Sequence, residues 1–230
     1  MKIEILEFIS GAKQARGVVV IIDVFRAFSV ACYAFDSGAI QYIAVGDAKS
    51  AFELQKRYNN SVLVGEREEK KIEGFDFGNS PTEILKVNLK GKTVIHTTTA
   101  GTNGLVNAKN ASLLLTGSFV NADAIVKYIK TLKPEHVTLV AMGYRAETTA
   151  EEDVLCARLI SERLKGQKPD FQKQLTDLKT GSGSRFFNPK NIDFSPPTDF
   201  FLCTMIDRFD FVLRAERRND GHISLIKTDM

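Results

Sequence analysis

An acidic and a basic side chain, Asp23 and Arg26, stand where a buried apolar run ends. Residues 18–22 read VVVII, a β-branched run that is typical of a strand buried on both faces. Residues 27–35 are mostly small and apolar, which predicts a buried helix behind the two charged residues. Because ligands bind at the carboxyl ends of strands in an open α/β sheet, Asp23 and Arg26 are candidate catalytic residues. Two ordinary alternatives stay open: Asp23 could cap the helix, and Arg26 could belong to a common ion pair.

Further strand ends bring polar residues toward the same edge of the predicted sheet. They are Glu66–Glu68, the Thr-rich loop 97–102, Gly117 with Ser118, and Gly143 with Arg145. Glycine and threonine before a helix leave backbone N–H groups free for an anion, and the helix N-terminus favours negative charge. The 97–99 loop and the 117–121 turn both fit this description, so they predict an anion-binding site.

The predicted helix 149–165 begins with three acids, Glu151, Glu152 and Asp153. Carboxylates in the first turn of a helix often do no more than complement its dipole. They could also face Asp23 across a cleft and hold Mg²⁺, which prefers oxygen ligands and completes its shell with phosphate. A metal, an anion site and arginines together favour phosphoryl transfer or phosphate hydrolysis.

Several other phosphate chemistries are excluded by the motifs that the chain lacks. There is no GxxxxGK[ST] loop, and no GxGxxG follows a strand. The second residue after Asp23 is Phe25, so the Asp-x-Asp pattern of haloacid-dehalogenase-type phosphatases is missing. No arginine follows Cys32 at the spacing of a cysteine phosphatase, and the three histidines are too scattered for a zinc site.

Composition and charge exclude several classes of partner. The formal net charge is only +3 and the charges are mixed along the chain, so we expect no nucleic-acid partner. No apolar run approaches the ~20 residues of a membrane span, and Glu4 and Glu7 interrupt the apolar N-terminus, which excludes a secretory signal. Cys32, Cys156 and Cys203 form no CxxC pair, so we expect buried thiols in a cytoplasmic protein.

A repeated rhythm of strand, loop and helix predicts an α/β fold, with a mainly parallel sheet and helices on both faces. Residues 209–217 and 222–227 flank an Asn-Asp-Gly turn, which predicts a C-terminal antiparallel hairpin. This hairpin either joins the sheet or packs beside it. We expect a single domain over residues 1–230, with a core at 1–166 and a C-terminal addition at 167–230.

Five motifs occur in a fixed order along the chain: IIDVFRA (Ile21–Ala27), VGERE…KIEGFDFGNSP (Val64–Pro81), TTTAGTNG (Thr97–Gly104), GSFVNA (Gly117–Ala122) and EEDVLCA (Glu151–Ala157). Each motif is weak, but together the five resemble the 2-phosphosulfolactate phosphatases of coenzyme M biosynthesis, over roughly residues 17–165. The resemblance implies a magnesium-dependent hydrolase with an α/β fold unlike other phosphatases. Its reaction would convert (R)-2-phospho-3-sulfolactate to 3-sulfolactate and phosphate.

The acids and bases of the family's motifs fall on nine residues, whose roles the resemblance does not assign: Asp23, Arg26, Glu66, Thr98, Thr99, Ser118, Asn121, Glu152 and Asp153. We group Glu66 with Asp23 and Arg26 as catalytic. In the mechanism that we favour, Asp23, Glu152 and Asp153 bind Mg²⁺, which neutralises phosphate oxygens and orients a nucleophile. The nucleophile is either water or a protein group, and a covalent phospho-Asp23 stays open.

The phosphoryl oxygens are assigned to the two predicted anion-binding turns. Thr98, Thr99 and the backbone N–H groups of residues 97–102 and 117–119 would hold them. Gly117, Ser118 and Asn121 are accordingly counted among the phosphate-binding residues. Arg26 would stabilise the charge that develops, because its planar guanidinium suits oxyanions.

The group that holds the rest of the substrate is open between two arginines. Arg145 or Arg185 could bind a sulfonate or a carboxylate, and Arg185 follows a flexible GSGS run. Two alternative functions also stay open: a phosphatase or phosphotransferase of another small phosphorylated acid, and a non-catalytic protein that binds small anions. Short apolar strands and many phenylalanines are compatible with a homodimer.

Overall fold

Ten strands form one continuous sheet, and the computed structural model describes the whole chain, residues 1–230. The strands are β1 (Lys2–Glu7), β2 (Gly17–Ile22), β3 (Gln41–Ala44), β4 (Ser61–Arg67), β5 (Lys70–Lys71), β6 (Thr93–Thr97), β7 (Ala111–Gly117), β8 (His136–Ala141), β9 (Phe211–Arg217) and β10 (Ile223–Asp229). The helices are α1 (Phe8–Gln14), α2 (Ala27–Asp36), α3 (Ala48–Gln55), α4 (Pro81–Ile84), α5 (Gly101–Asn107), α6 (Ala122–Leu132), α7 (Glu151–Leu164), α8 (Gln172–Asp177) and α9 (Pro197–Cys203). None of these helices is long and apolar enough to cross a membrane.

The sheet consists of two parallel groups joined by an antiparallel hairpin. Its strand order is β1-β8-β2-β7-β9-β10-β3-β6-β4-β5. The strands from β1 to β7 in this order run parallel to one another, and so do β3, β6 and β4. The hairpin β9–β10 pairs antiparallel with β7 on one side and with β3 on the other. This confirms the predicted α/β class, the mainly parallel sheet and the C-terminal hairpin.

Strand β2 explains why helices cover both faces of the sheet. Its residues alternate between two apolar cores, as successive side chains of a strand must. Val19 and Ile21 pack with the core that includes α2, whereas Val18, Val20 and Ile22 pack with the core that includes α6 and α7. An unbroken apolar strand is therefore needed here, and its polar neighbours are displaced to its carboxyl end.

The hairpin occupies the middle of the sheet, a position that the sequence pattern did not indicate. Leu115 of β7 stands opposite Arg214, and Tyr42 of β3 stands opposite Leu225. Without the hairpin, β7 and β3 would each present an unpaired edge. The C-terminal residues therefore complete the sheet between its two parallel groups.

Two connections near the cleft are short. Strand β1 ends at Glu7 and α1 begins directly at Phe8. A tight turn joins β4 to β5. The three cysteines are buried and free, as expected.

Because the hairpin joins the two parallel groups, shortening a buried side chain within it should destabilise the whole fold. Leu213→Ala removes a fully buried side chain, and we expect the free energy of unfolding to fall by about 2–5 kcal/mol. Asp229→Ala changes an exposed residue of the same hairpin and should have little effect. Urea unfolding followed by circular dichroism measures both. Equal, small effects would show that the two groups hold together without the hairpin.

Candidate active site

A polar cleft with a cavity volume of about 50 Å³ lies where β2, β4, β6 and β8 end. Its lining residues are Asp23, Phe25, Arg26, Glu66, Glu68, Glu69, Asn79, Thr99, Ala100, Gly143, Tyr144, Arg145, Glu152, Asp153 and Arg185. Eight of them were predicted as site residues from the sequence: Asp23, Arg26, Glu66, Thr99, Arg145, Glu152, Asp153 and Arg185. Six carboxylates face three arginines in this lining, so the cleft carries an excess of negative charge.

Asp23 is buried directly after β2 and is held by the start of α2. Its Oδ1 accepts a hydrogen bond from the backbone N–H of Ala27 at 3.1 Å, so it also stabilises the helix start, as one sequence interpretation allowed. Gly101 approaches so closely that an added Cβ would lie 2.7 Å from Asp23 Oδ2. The pKa of Asp23 is raised to about 6. Burial is the main cause and the nearby Glu66 and Glu152 carboxylates add to it, while the backbone hydrogen bonds from Ala27 and Gly101 oppose the rise.

Glu152 and Asp153 enter the cleft from the first turn of α7. Asp153 accepts backbone hydrogen bonds from Val24 at 2.8 Å and from Gly143 at 2.9 Å, and so joins the loops that follow β2 and β8. Glu152 has a buried Oε2 without a hydrogen-bond partner. Burial raises the pKa of both carboxyl groups, and at Asp153 the charges of Glu152 and Asp23 raise it further.

The donor chemistry of this acid cluster, Asp23, Glu152 and Asp153, fits a hard cation. All its donors are carboxylate oxygens, and the unpartnered Glu152 Oε2 is a free acceptor. No group of three or more His, Cys, Asp or Glu side chains is close enough together to hold a metal ion. Magnesium commonly binds through only one or two carboxylates and completes its shell with water and phosphate. A cation at this cluster would therefore have to take most of its ligands from water or from a bound phosphate.

Arg26 is buried in the cleft wall and forms an ion pair with Asp199 of α9. The sequence analysis did not predict this partner. Its Nη1 donates to Asp199 Oδ2 at 2.6 Å and to the Phe194 carbonyl at 2.7 Å. Its Nη2 makes only a long contact of 3.4 Å, to the carbonyl of Glu69. Arg26 thus forms an ion pair and lines the cleft at the same time. Asp199 lies alone in a stretch without periodicity, so no sequence signal pointed to it.

Glu66 ties two cleft loops together through their backbones. Its Oε1 accepts from the N–H of Thr99 at 2.7 Å and its Oε2 from the N–H of Glu69 at 2.9 Å. The Thr99 hydroxyl is buried without a hydrogen-bond partner, and so is Oδ1 of Asn79. The sequence analysis selected Thr99 but not Asn79. Buried polar atoms are nearly always hydrogen-bonded, so these two mark positions where a ligand could bind. Asn79 belongs to the Gly-Asn-Ser-Pro sequence of the second family motif, and this was the only sequence feature that could have marked it as a site residue.

Four predicted phosphate-binding residues lie outside the cleft lining: Thr98, Gly117, Ser118 and Asn121. The Thr98 hydroxyl accepts from the backbone N–H of Thr102, at the start of α5. Ser118 shares a 2.7 Å hydrogen bond with Ser29, while Asn121 accepts from the Ser118 N–H. Gly117 packs on β2, where an added Cβ would lie 2.7 Å from Val20. These polar groups hold loops together, so their placement adds no support to a phosphate-binding role.

Fold and cleft together define an α/β protein with an acid-rich polar cleft at the carboxyl ends of its strands, where such folds bind ligands. Residues 4–193 match the family model of 2-phosphosulpholactate phosphatase. The chain therefore belongs to the 2-phosphosulpholactate phosphatase family, which confirms the resemblance found in the sequence. The predicted class of enzyme, a phosphoric monoester hydrolase, is confirmed with it.

Three relatives show how much of the chain the similarity covers, and all three are named probable 2-phosphosulfolactate phosphatase. The protein of Caldanaerobacter subterraneus subsp. tengcongensis is 39% identical, over 84% of this chain and 86% of its own length. That of Bacillus subtilis is 30% identical, over 90% of each chain. That of Carboxydothermus hydrogenoformans is 36% identical, over 76% of this chain and 72% of its own.

Breaking the buried Arg26–Asp199 pair should destabilise the protein strongly. Asp199→Asn leaves the Arg26 guanidinium buried without its counter-charge, and we expect a loss of about 3–5 kcal/mol in the free energy of unfolding. The control is Asp123→Asn, which breaks a solvent-exposed pair with Lys127 and should change stability little. Chemical denaturation compares the two. A similar effect in both variants would contradict the buried pair.

The raised pKa of Asp23 makes a prediction about pH. The folded protein binds this proton more tightly than the unfolded chain, so the destabilisation is present above pH 6 and disappears as the pH falls from 6 toward 4. In chelator at pH 7.5, Asp23→Asn should therefore raise the free energy of unfolding by about 1–3 kcal/mol. The gain should shrink at pH 5. Loss of stability at pH 7.5 would show instead that Asp23 acts mainly as a cap.

Proposed function

We propose that this protein is a magnesium-dependent phosphatase that hydrolyses (R)-2-phospho-3-sulfolactate to 3-sulfolactate and phosphate. The observation that carries the proposal is the buried acid cluster, in which the charge of Glu152 raises the pKa values of Asp23 and Asp153. Membership of the 2-phosphosulpholactate phosphatase family supports the substrate. The oxygen-only donor set supports the cation.

The acid cluster would hold Mg²⁺ through Asp23 and Glu152. Asp153 would be a weaker ligand for the metal, because each of its oxygens already accepts a backbone hydrogen bond. Magnesium, when bound, supplies positive charge to the phosphate oxygens and acidifies a coordinated water. In hydrolysis the oxygen of water ends up on phosphorus while the bond from phosphorus to the 2-oxygen breaks. The water gives up one proton and the leaving 2-oxygen takes up one, so the products are 3-sulfolactate and phosphate.

Groups on the cleft wall would bind the phosphoryl oxygens. The Thr99 hydroxyl is buried and unpartnered, so it can donate to one of them. Arg26 keeps Nη2 nearly free while Asp199 and Phe194 fix the other side of its guanidinium. Such a preorganised donor stabilises charge that develops in the transition state without having to move.

Glu66 would position these groups and would also tune Asp23. Its two oxygens fix the backbone at Thr99 and at Glu69, and its charge contributes to the raised pKa of Asp23. With a pKa of about 6, Asp23 is mainly a charged carboxylate at neutral pH. It can therefore serve as a metal ligand with water as nucleophile, or as a nucleophile that forms phospho-Asp23.

Phosphate release from (R)-2-phospho-3-sulfolactate, with Mg²⁺ and with chelator, tests the proposal. We expect turnover only with the metal, and Asp23→Asn or Glu152→Gln should lower kcat by about 100-fold or more, since each removes a charged group at the reacting phosphate. Glu147→Gln removes an equal charge from an exposed position outside the cleft lining and is the control.

Three results would contradict the proposal. Full activity in chelator would exclude the metal from the reaction. Turnover of other small phosphorylated acids, but not of this substrate, would assign the cleft to another phosphatase. A protein that is inert on every phosphate ester, yet binds phosphate, would be an anion-binding protein.

A further inference from the structure

Arg185 and Glu69 form an ion pair at one side of the cleft, although they lie far apart in the chain. Arg185 belongs to a short helical turn, Ser182–Phe187, and Glu69 to the turn between β4 and β5. Arg185 Nη1 donates to Glu69 Oε1 at 2.6 Å, and its Nη2 donates to the Phe25 carbonyl at 3.0 Å. Its Nε–H is buried and has no acceptor. This guanidinium therefore already binds one acid oxygen and can bind another.

A larger cavity of about 360 Å³ adjoins the cleft at this pair. The cleft and the cavity share four lining residues, Glu69, Tyr144, Glu152 and Arg185. The cavity also has on its wall the hydroxyl of Ser182, which lies beside the Glu152 carboxylate and lowers its pKa against the effect of burial. A buried donor without an acceptor, Arg185 Nε, and a hydroxyl, Ser182 Oγ, thus lie on the wall of one cavity, and buried donors are rarely left unpaired.

The position of Glu69 in its turn is unfavourable for a glutamate. Glu68 and Glu69 have φ values of 52° and 70°, a left-handed backbone that two-residue hairpin turns usually fill with asparagine and glycine. The backbone N–H of Glu69 is bound by Glu66, so the turn is fixed to the cleft. Strained backbone of this kind is found where a side chain has a task. Here the side chain places a carboxylate on Arg185.

The proposed substrate has an acid group that fits this cavity. Its carboxylate is attached to the carbon that carries the phosphate, whereas the sulfonate is attached one carbon further away. When the phosphate lies at the acid cluster, the sulfonate is the group that extends furthest from it. A sulfonate has three acceptor oxygens, and an arginine fork with a nearby hydroxyl offers it matching donors.

We propose that the cavity beside the cleft is the sulfonate subsite, that Arg185 and Ser182 are its donors, and that the sulfonate takes the place of the Glu69 carboxylate on Arg185. The inference rests on the proposed function and names the residues that select its substrate. It also distinguishes Arg185 from Arg145, which is exposed and does not line the cavity. Because Glu69 competes for the same guanidinium, it weakens sulfonate binding.

Steady-state kinetics with a matched pair of substrates tests the subsite. The pair is (R)-2-phospho-3-sulfolactate and (S)-2-phospholactate, which have the same spatial arrangement at carbon 2 and differ only in the sulfonate. We expect Arg185→Gln to raise KM for the sulfonated substrate by about 10- to 100-fold, and Ser182→Ala by a smaller factor, with KM for 2-phospholactate unchanged. Arg158→Gln, an exposed arginine on α7 outside the cavity, is the control. An equal rise for both substrates would overturn the proposal.

Binding of 3-sulfolactate measured by calorimetry separates the subsite from catalysis. Wild type should bind 3-sulfolactate more tightly than lactate even if it hydrolyses nothing, so failure of the proposed function and failure of the subsite give different results. Glu69→Gln should tighten 3-sulfolactate binding about tenfold, because the competing carboxylate is lost. Weaker binding in Glu69→Gln would show that Glu69 only orients Arg185. Equal binding of lactate and 3-sulfolactate by wild type would overturn the subsite.

Discussion

Mutual repulsion among buried carboxylates is the constraint on which the rest of the cleft depends. Asp23, Glu152 and Asp153 are all buried, and burial raises the pKa of each. Neighbouring carboxylates raise the pKa of Asp23 and Asp153 further, whereas the charge of Arg185 opposes the rise at Glu152. Buried charges are unfavourable unless they are paired or hydrogen-bonded, so the surrounding chain has to hold them in place. Backbone N–H groups from the ends of two strands bind Asp153, and the start of α2 binds Asp23. A fold keeps such an arrangement where function requires it.

The cleft also depends on residues that come late in the chain. Asp199 supplies the counter-charge of Arg26, and Arg185 pairs with Glu69. The hairpin β9–β10 lies between the two parallel groups of strands, so the C-terminal residues complete both the sheet and the cleft. Four of the six cleft acids lie at or just after strand ends, and the other two lie at the start of α7. The segment after α7 positions two of the cleft arginines, since it supplies Arg185 itself and the Asp199 partner of Arg26. Charge balance at the site is therefore coupled to the folding of the whole chain.

Local patterns predicted the parts of the structure that depend on local sequence. Strand β2 and its terminal Asp23 could be recognised because a β-branched run that meets a charge is a local signal. The position of the hairpin could not, since turn chemistry identifies a hairpin without identifying its neighbours in the sheet. The same limit applies to Asp199 and Glu69, whose roles arise from partners more than 100 residues away. Ser118 was selected because glycine and serine before a helix suggest an anion site, but its hydroxyl packs against Ser29.

Anomalous diffraction from crystals grown with Mn²⁺, which can replace Mg²⁺, tests the acid cluster as a cation site most directly. We expect an anomalous peak at coordination distance, about 2–2.5 Å, from the carboxylate oxygens of Asp23 and Glu152. The peak should disappear in Glu152→Gln crystals grown under the same conditions. No peak in the cleft, or a peak bound only elsewhere on the protein, would contradict the account of the buried carboxylates as a metal site.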